Sequence, residues 1–200
     1  MKNVFFFLCS LVLACGSNDS NYNSSNNYST SQGAALTQIV LVDTLNNAMG
    51  EVTLGSSPSI VVGHKDYSSK FKKGKLKYYD DNGQCVAKVS YKSDGFKLKR
   101  EDGSLLWKVK LKSNKIKLAN NEEMLNPYQL KRYEDSSEAK LKVGDETLGK
   151  VKAKPNKLKV TYGSSVYYLY DQRNLDYGVV GFEEIPLLYR MMILVELAKK

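Results

Sequence analysis

The chain is poor in the residues from which catalytic and metal sites are commonly built. It has 200 residues but one histidine, His64, one tryptophan, Trp107, four prolines and three cysteines, at positions 9, 15 and 85. With Cys9 and Cys15 taken up by the leader, one imidazole and the single thiol of Cys85 are too few for a conventional zinc site. Three cysteines cannot make a disulfide framework. No nucleophile elbow, phosphate-cradling glycine loop or zinc signature is present, and no cofactor motif. Asp80-Asp81-Asn82-Gly83 has calcium-type oxygens but lacks the later acid of an EF-hand loop, so it reads as a hairpin turn. Arginine is also scarce: of 30 cations only Arg100, Arg132, Arg173 and Arg190 are guanidinium groups. Phosphate and base readers favour the bidentate fork of arginine, so this balance argues against specific nucleic-acid recognition.

What is present begins with the leader. Lys2 precedes an apolar run from Val4 to Ala14, which stops at Cys15. That is the layout of a secretory signal, too short for a permanent membrane-spanning helix. Val12-Leu13-Ala14-Cys15 resembles the lipobox of bacterial lipoproteins. The resemblance implies a signal peptide over 1–14, lipidation of Cys15 and membrane attachment through that lipid. Cys9 would then be lost, leaving Cys85 without a disulfide partner and expected to behave as a small buried apolar residue. Residues 15–35 form a Ser/Asn-rich tether with too few aliphatic side chains to order itself. Gly16, rather than aspartate, follows the cysteine; similarity to enteric lipoproteins implies export to the outer membrane where the cell has one. Lys2 is the one charge of the leader, so 29 cations face 21 acids beyond it, a formal +8. A diffuse lysine surface of that kind is soluble and attracts anionic headgroups weakly.

From Thr37 the chain becomes short alternating runs between turn residues. Strands are expected near 37–42, 51–54, 59–63, 70–71, 75–79, 84–91, 96–100, 105–112, 115–118, 128–133, 139–143, 147–153, 158–162 and 166–170. Asp81-Asn82-Gly83, Ser93-Asp94-Gly95, Glu101-Asp102-Gly103 and Val143-Gly144-Asp145 supply residues that tolerate positive φ in tight hairpins. Within the strands, Lys-apolar-Lys recurs, as in Lys75-Leu76-Lys77 and Trp107-Lys108-Val109-Lys110-Leu111-Lys112. Period two puts the apolar set on one face and the lysines on the other, where they also discourage edge pairing. Most runs are shorter than a membrane-spanning strand requires.

The terminal segment 184–198 decides the architecture. Leu187, Leu188, Met191–Val195 and Leu197 go right round a helix interrupted only by Arg190 and Glu196, and a helix apolar on all sides belongs inside something. Glu183, Glu184 and Pro186 suit its start and Lys199-Lys200 its end. Short strands with one apolar face could surround it, giving a mainly β domain over 36–200: a closed antiparallel barrel around a central helix. A β-sandwich with the helix packed across an open end is the alternative. Arg190 is expected near a barrel mouth or paired with Glu183, because an unpaired buried cation is costly.

Phe96-Lys-Leu-Lys-Arg-Glu-Asp-Gly-Ser-Leu-Leu-Trp-Lys-Val109 and the terminal Ile185–Ala198 resemble the tubby C-terminal-like superfamily, which includes the LURP-one-related proteins and the phospholipid scramblases. The resemblance implies a closed barrel of about twelve strands threaded by the C-terminal helix. No phosphoinositide-binding residue carries over, since no segment here matches a site motif of the family.

For function, a base at His64 oriented by Asp66 and acting on Ser68 or Ser69 would make an envelope hydrolase. Lipid movement, as in scramblases, is a further alternative. The reading favoured by the residues is non-enzymatic: a monomeric, lipid-anchored module of the cell envelope. It would contact anionic lipids or an envelope protein through lysines and tyrosines, with Lys108, Lys110, Lys112, Tyr167 and Tyr168 as candidate ligand surface. Fourteen tyrosines otherwise suit barrel packing and rim hydrogen bonds.

Overall fold

The computed structural model describes residues 38–134 and 136–200. The signal peptide, Cys15 and the tether lie outside the described residues. Fourteen strands follow one another: β1 (Gln38–Val42), β2 (Ala48–Thr53), β3 (Ser59–Val62), β4 (Lys65–Lys72), β5 (Lys75–Tyr79), β6 (Cys85–Lys92) and β7 (Gly95–Lys99). The second half comprises β8 (Leu105–Lys112), β9 (Lys115–Ala119), β10 (Tyr128–Arg132), β11 (Glu138–Val143), β12 (Glu146–Lys154), β13 (Lys157–Tyr162) and β14 (Ser165–Tyr170). A 3₁₀ helix, Leu175–Gly181, and a final helix α1, Leu187–Ala198, complete the chain.

Each strand pairs antiparallel with its sequence neighbours, and β1 also pairs with β14, through Leu41 opposite Leu169. The sheet is therefore a closed barrel without free edges, not a sandwich. Fourteen strands stand where family resemblance implies about twelve. The faintest run, 70–71, lengthens to the eight residues of β4. Its first half, Lys65-Asp66-Tyr67-Ser68-Ser69, is polar on both faces, so periodicity could not mark it.

Alternation sorts the side chains as expected. Leu41, Val52, Ile60, Leu98, Leu118, Leu130, Leu141, Leu158 and Leu169 are fully buried, and the intervening lysines face outward. The lumen holds α1, whose Met191 to Val195 are all completely enclosed. Burying each such side chain is worth about 1.5–3 kcal/mol, so wall and helix stabilise one another. The helix begins at Leu187, three residues later than 184, with Pro186 as its N-cap. Phe182 packs edge-on against Tyr128 and Tyr162, their ring centroids 5.3 and 5.9 Å away.

The 3₁₀ helix was not expected from the sequence. Asn174 caps it by accepting from the Asp176 backbone N–H, and it lies against β10–β13 inside the wall. Among the described residues no helix is long and apolar enough to cross a membrane.

Candidate functional site

The interior is chemically occupied. Glu196, buried near the end of α1, accepts from the Tyr91 hydroxyl at 2.9 Å, the Tyr78 hydroxyl at 3.4 Å and the Lys199 ammonium at 2.8 Å. At the other end of the helix, Glu184 accepts from Tyr162 at 2.7 Å and Glu183 accepts from Tyr167. Burial first, and then these carboxylates, push the phenols of Tyr78, Tyr91, Tyr162 and Tyr167 above their ordinary range. Arg190 is buried in the first turn of α1, close to the mouth lined by Leu188 and Tyr189, and it does not pair with Glu183 directly. Its guanidinium donates to the Val180 carbonyl at 2.6 Å, with the Tyr167 hydroxyl between it and Glu183. Burial lowers its pKa, and the neighbouring Tyr167, Glu183 and Glu184 oppose that shift. These groups hold the helix in place, although the buried Arg190 Nε has no hydrogen-bond partner among the described residues.

The two ends of the barrel differ in charge, and the meander explains how. Because strands alternate in direction, turns after odd-numbered strands gather at one end and turns after even-numbered strands at the other. The first set carries Asp43, Asp80-Asp81, Glu101-Asp102, Glu122-Glu123, Asp145 and Glu146, against Lys65, Lys99 and Arg100. Part of this is turn chemistry: Asp43, Asp80 and Asp102 accept backbone N–H groups two residues on, at 2.8–3.1 Å. Hydrogen bonds from the Asn47 side chain and backbone, with a smaller part from the Leu45 N–H, hold the Asp43 carboxyl below the usual range, and the Ser104 N–H does the same for Asp102.

The opposite end carries Lys72, Lys73 and Lys75 on the β4–β5 hairpin, Lys92, Lys112, Lys115, Lys154, Lys157 and Arg173, with Lys199 and Lys200 at the chain end. Among the described residues the acids there are Asp94, Glu134, Glu138, Asp171, Asp176 beside Arg132, and Glu196 beside Lys199. Phe71, 63% exposed, and Tyr91, 45% exposed, add an aromatic lip to this basic mouth. Gln38 opens β1 at this same end, opposite Thr53, so the chain preceding the barrel joins it on the lysine side.

Three concavities accompany this arrangement. One of about 500 Å³ sits at the acidic mouth between Tyr67, Asp80, Asp81, Arg100, Asp102 and Tyr189. One of about 290 Å³ is lined by Lys72, Lys73, Lys75, Lys77 and Lys88. A third, of about 500 Å³, lies outside β11–β13. Among the described residues no cluster of histidine, cysteine and carboxylate side chains could hold a metal.

No protein-family model and no curated protein matches this chain. The crystal structure of a protein from Arabidopsis thaliana is similar at 14% identity and a TM-score of 0.38, over 68% of this chain and 91% of that one. A likeness that distant assigns nothing to the residues here.

The residues singled out from the sequence do not converge. Lys108, Lys110 and Lys112 stand on β8 and Tyr167 and Tyr168 on β14, six strands apart around the ring. Lys108 contacts Glu122 at 3.4 Å and Lys110 lies 3.5 Å from Asp94. Tyr167 points inward to Glu183, while Tyr168 is outside, stacked with Tyr170 at 6.2 Å beneath Lys157. His64 is exposed in the β3–β4 turn, Asp66 is exposed on β4, and the buried Ser69 hydroxyl donates to the Pro58 carbonyl at 2.5 Å. The Ser69 hydroxyl is thus engaged, whereas Ser68, the other candidate, is exposed on the same face of β4 as Asp66. Cys85 is half-buried rather than enclosed, and burial raises its pKa, favouring the protonated thiol. The charged ends escaped notice in the sequence because turn order, not turn composition, creates them.

Proposed function

We propose that this protein is a lipid-anchored envelope module, without catalytic activity, that docks on an anionic membrane with its lysine-rich mouth facing the lipid. The observation that carries the reading is charge segregation along the barrel, combined with the attachment of the preceding chain at the basic end. A lipid on Cys15 would hold the tether, and one acyl signal gains from a second, polybasic one. Lysines near an anionic surface contribute about 1 kcal/mol each. Strands of four to nine residues separate the two rims by about 13–30 Å, which exceeds the Debye length of ~10 Å at 0.1 M salt. The membrane field therefore acts on the basic rim, and repulsion of the acidic rim opposes the inverted pose. Kinship with the tubby-like barrels remains part of this reading, supported by an apolar C-terminal helix enclosed in a closed antiparallel sheet.

Sedimentation of the unacylated fragment 34–200 with phosphatidylglycerol vesicles tests the docking. Binding should exceed that to phosphatidylcholine and fall with salt. The triple variant Lys72→Glu, Lys73→Glu, Lys75→Glu should abolish it, whereas Asp80→Lys with Asp81→Lys should not. Equal effects of both charge reversals would overturn the oriented pose. Palmitate labelling that persists in Cys15→Ser would remove the lipid anchor.

A further inference from the structure

The strand register sets lysines directly opposite one another along the outside of the barrel. Lys112 faces Lys115, Lys115 faces Lys131, Lys131 faces Lys140 and Lys140 faces Lys150, one lysine on every strand from β8 to β12. At the usual strand spacing of about 4.8 Å this makes a row roughly 19 Å long. Like charges directly opposite destabilise a sheet, and solubility asks only for charges of mixed sign. Part of the surface neutralises its lysines, as where Glu122 contacts Lys97 and Lys108 and Glu138 contacts Lys152. A second unpaired row, Lys70, Lys77, Lys88 and Lys99, crosses β4 to β7, but Tyr133 and its groove adjoin only the row on β8 to β12. Among the described residues none of the five row lysines has an ion pair. The repulsion built into the row is therefore left standing.

A groove adjoins the row. Tyr133, 42% exposed, lies beside it with the Lys131 and Lys140 ammonium groups 5.5 and 5.3 Å from its ring centroid. From there the concavity of about 500 Å³ extends past Ser136, Thr147 and Thr161, with Lys140 and Lys150 on its border. Gly149 belongs to its floor, where a Cβ would stand 2.2 Å from the Thr161 carbonyl oxygen. Glu138, the one acid among the described residues that line the groove, is engaged by Lys152.

We propose that the row and groove bind a linear anionic polysaccharide. Its regularly spaced carboxylates or phosphates would meet the lysines, one sugar would lie on Tyr133, and the Ser and Thr hydroxyls would bond ring hydroxyls. The row starts at the basic rim with Lys112 and Lys115 and runs onto the convex wall at Lys140 and Lys150, a shape suited to a thin polymer and unsuited to a flat bilayer. Nucleic acid fits less well, because the row holds no arginine and the groove only one aromatic ring. The inference does not rest on membrane docking.

Titration of the full-length protein with fluorescent polygalacturonate, monitored by anisotropy, tests it, with neutral dextran as the control polymer. Binding should be confined to the anionic polymer and weaken as salt rises. Lys131→Gln, Lys140→Gln and Lys150→Gln together should reduce affinity by about tenfold or more. Tyr133→Ala should reduce it several-fold with the salt dependence unchanged. The charge-matched control Lys72→Gln, Lys73→Gln, Lys75→Gln should change it by less than about twofold. The single variant Lys140→Gln, which removes one like-charge neighbour from Lys131 and Lys150, serves should the triple variant misfold, and should also weaken binding. Equal losses in both triples, or no loss in Tyr133→Ala, would reduce the effect to non-specific polyelectrolyte attraction and overturn the site. No binding to polygalacturonate, or loss of phosphatidylglycerol-vesicle binding in the row variant with polymer binding intact, would also overturn it.

Discussion

Glu196 shows how one polar residue can sit inside an apolar plug. Its side chain is 1% exposed, and it accepts from two phenols and an ammonium, so the carboxylate is enclosed but fully engaged. Removing it leaves the Tyr78 hydroxyl buried without an acceptor and Lys199 without its pair. Glu196→Ala should therefore destabilise the protein by about 2–4 kcal/mol. Glu196→Gln keeps an acceptor for the tyrosines and loses mainly the half-exposed ion pair, for about 1 kcal/mol. Guanidinium unfolding midpoints of the two variants against the parent would check the ordering. A larger loss for Gln than for Ala would contradict it. From the sequence, Glu196 was visible only as an interruption of the apolar helix. Its partners lie 105 and 118 residues away, so no local pattern could supply them. The same limit explains Arg190, whose carbonyl acceptor lies on the 3₁₀ segment.

At the scale of elements, strands and terminal helix were legible because each follows a period: two for the Lys-apolar ribbons, and an all-round apolar face for α1. β4 was nearly lost for want of apolar alternation. The 3₁₀ helix, Leu-Asp-Tyr-Gly-Val-Val-Gly, is too short and glycine-rich to carry a period, and packing rather than propensity forms it. Gly178 records that packing: a Cβ there would stand 2.2 Å from Val151 Cγ2 on β12. Gly178→Ala should cost about 1–3 kcal/mol by overpacking, since wall and helix cannot separate without opening the barrel. Val151→Ala alone leaves a cavity and also destabilises. The double variant should be more stable than the sum of the two single losses predicts, because the new methyl fills space that the valine vacates. Thermal melts of the four proteins would measure this coupling, and strict additivity would show that the contact does not set the spacing.

Over the whole molecule, the arrangement of charge conflicts with what stability alone would favour. The candidate basic surfaces were only half legible, since lysine abundance can be read from composition, whereas which lysines face one another depends on register across five strands. Lys131 occupies the middle of the row, directly between Lys115 on β9 and Lys140 on β11. Lys131→Glu converts two like-charge neighbours into two opposite-charge pairs, each worth about 0.2–1 kcal/mol. Against this stands the loss of its contact with the Tyr133 ring, about 0.5 kcal/mol at an exposed position. The electrostatic change wins when both pairs form, so the variant should gain up to about 1.5 kcal/mol at low salt. Because exposed charges are screened, that gain should shrink as ionic strength rises. Melting both proteins in dilute buffer and again in molar salt would separate the electrostatic part from packing. A stabilised barrel that has also lost polygalacturonate affinity would mean that the row trades folding stability for recognition. A destabilised variant would instead assign Lys131 a structural role in the wall.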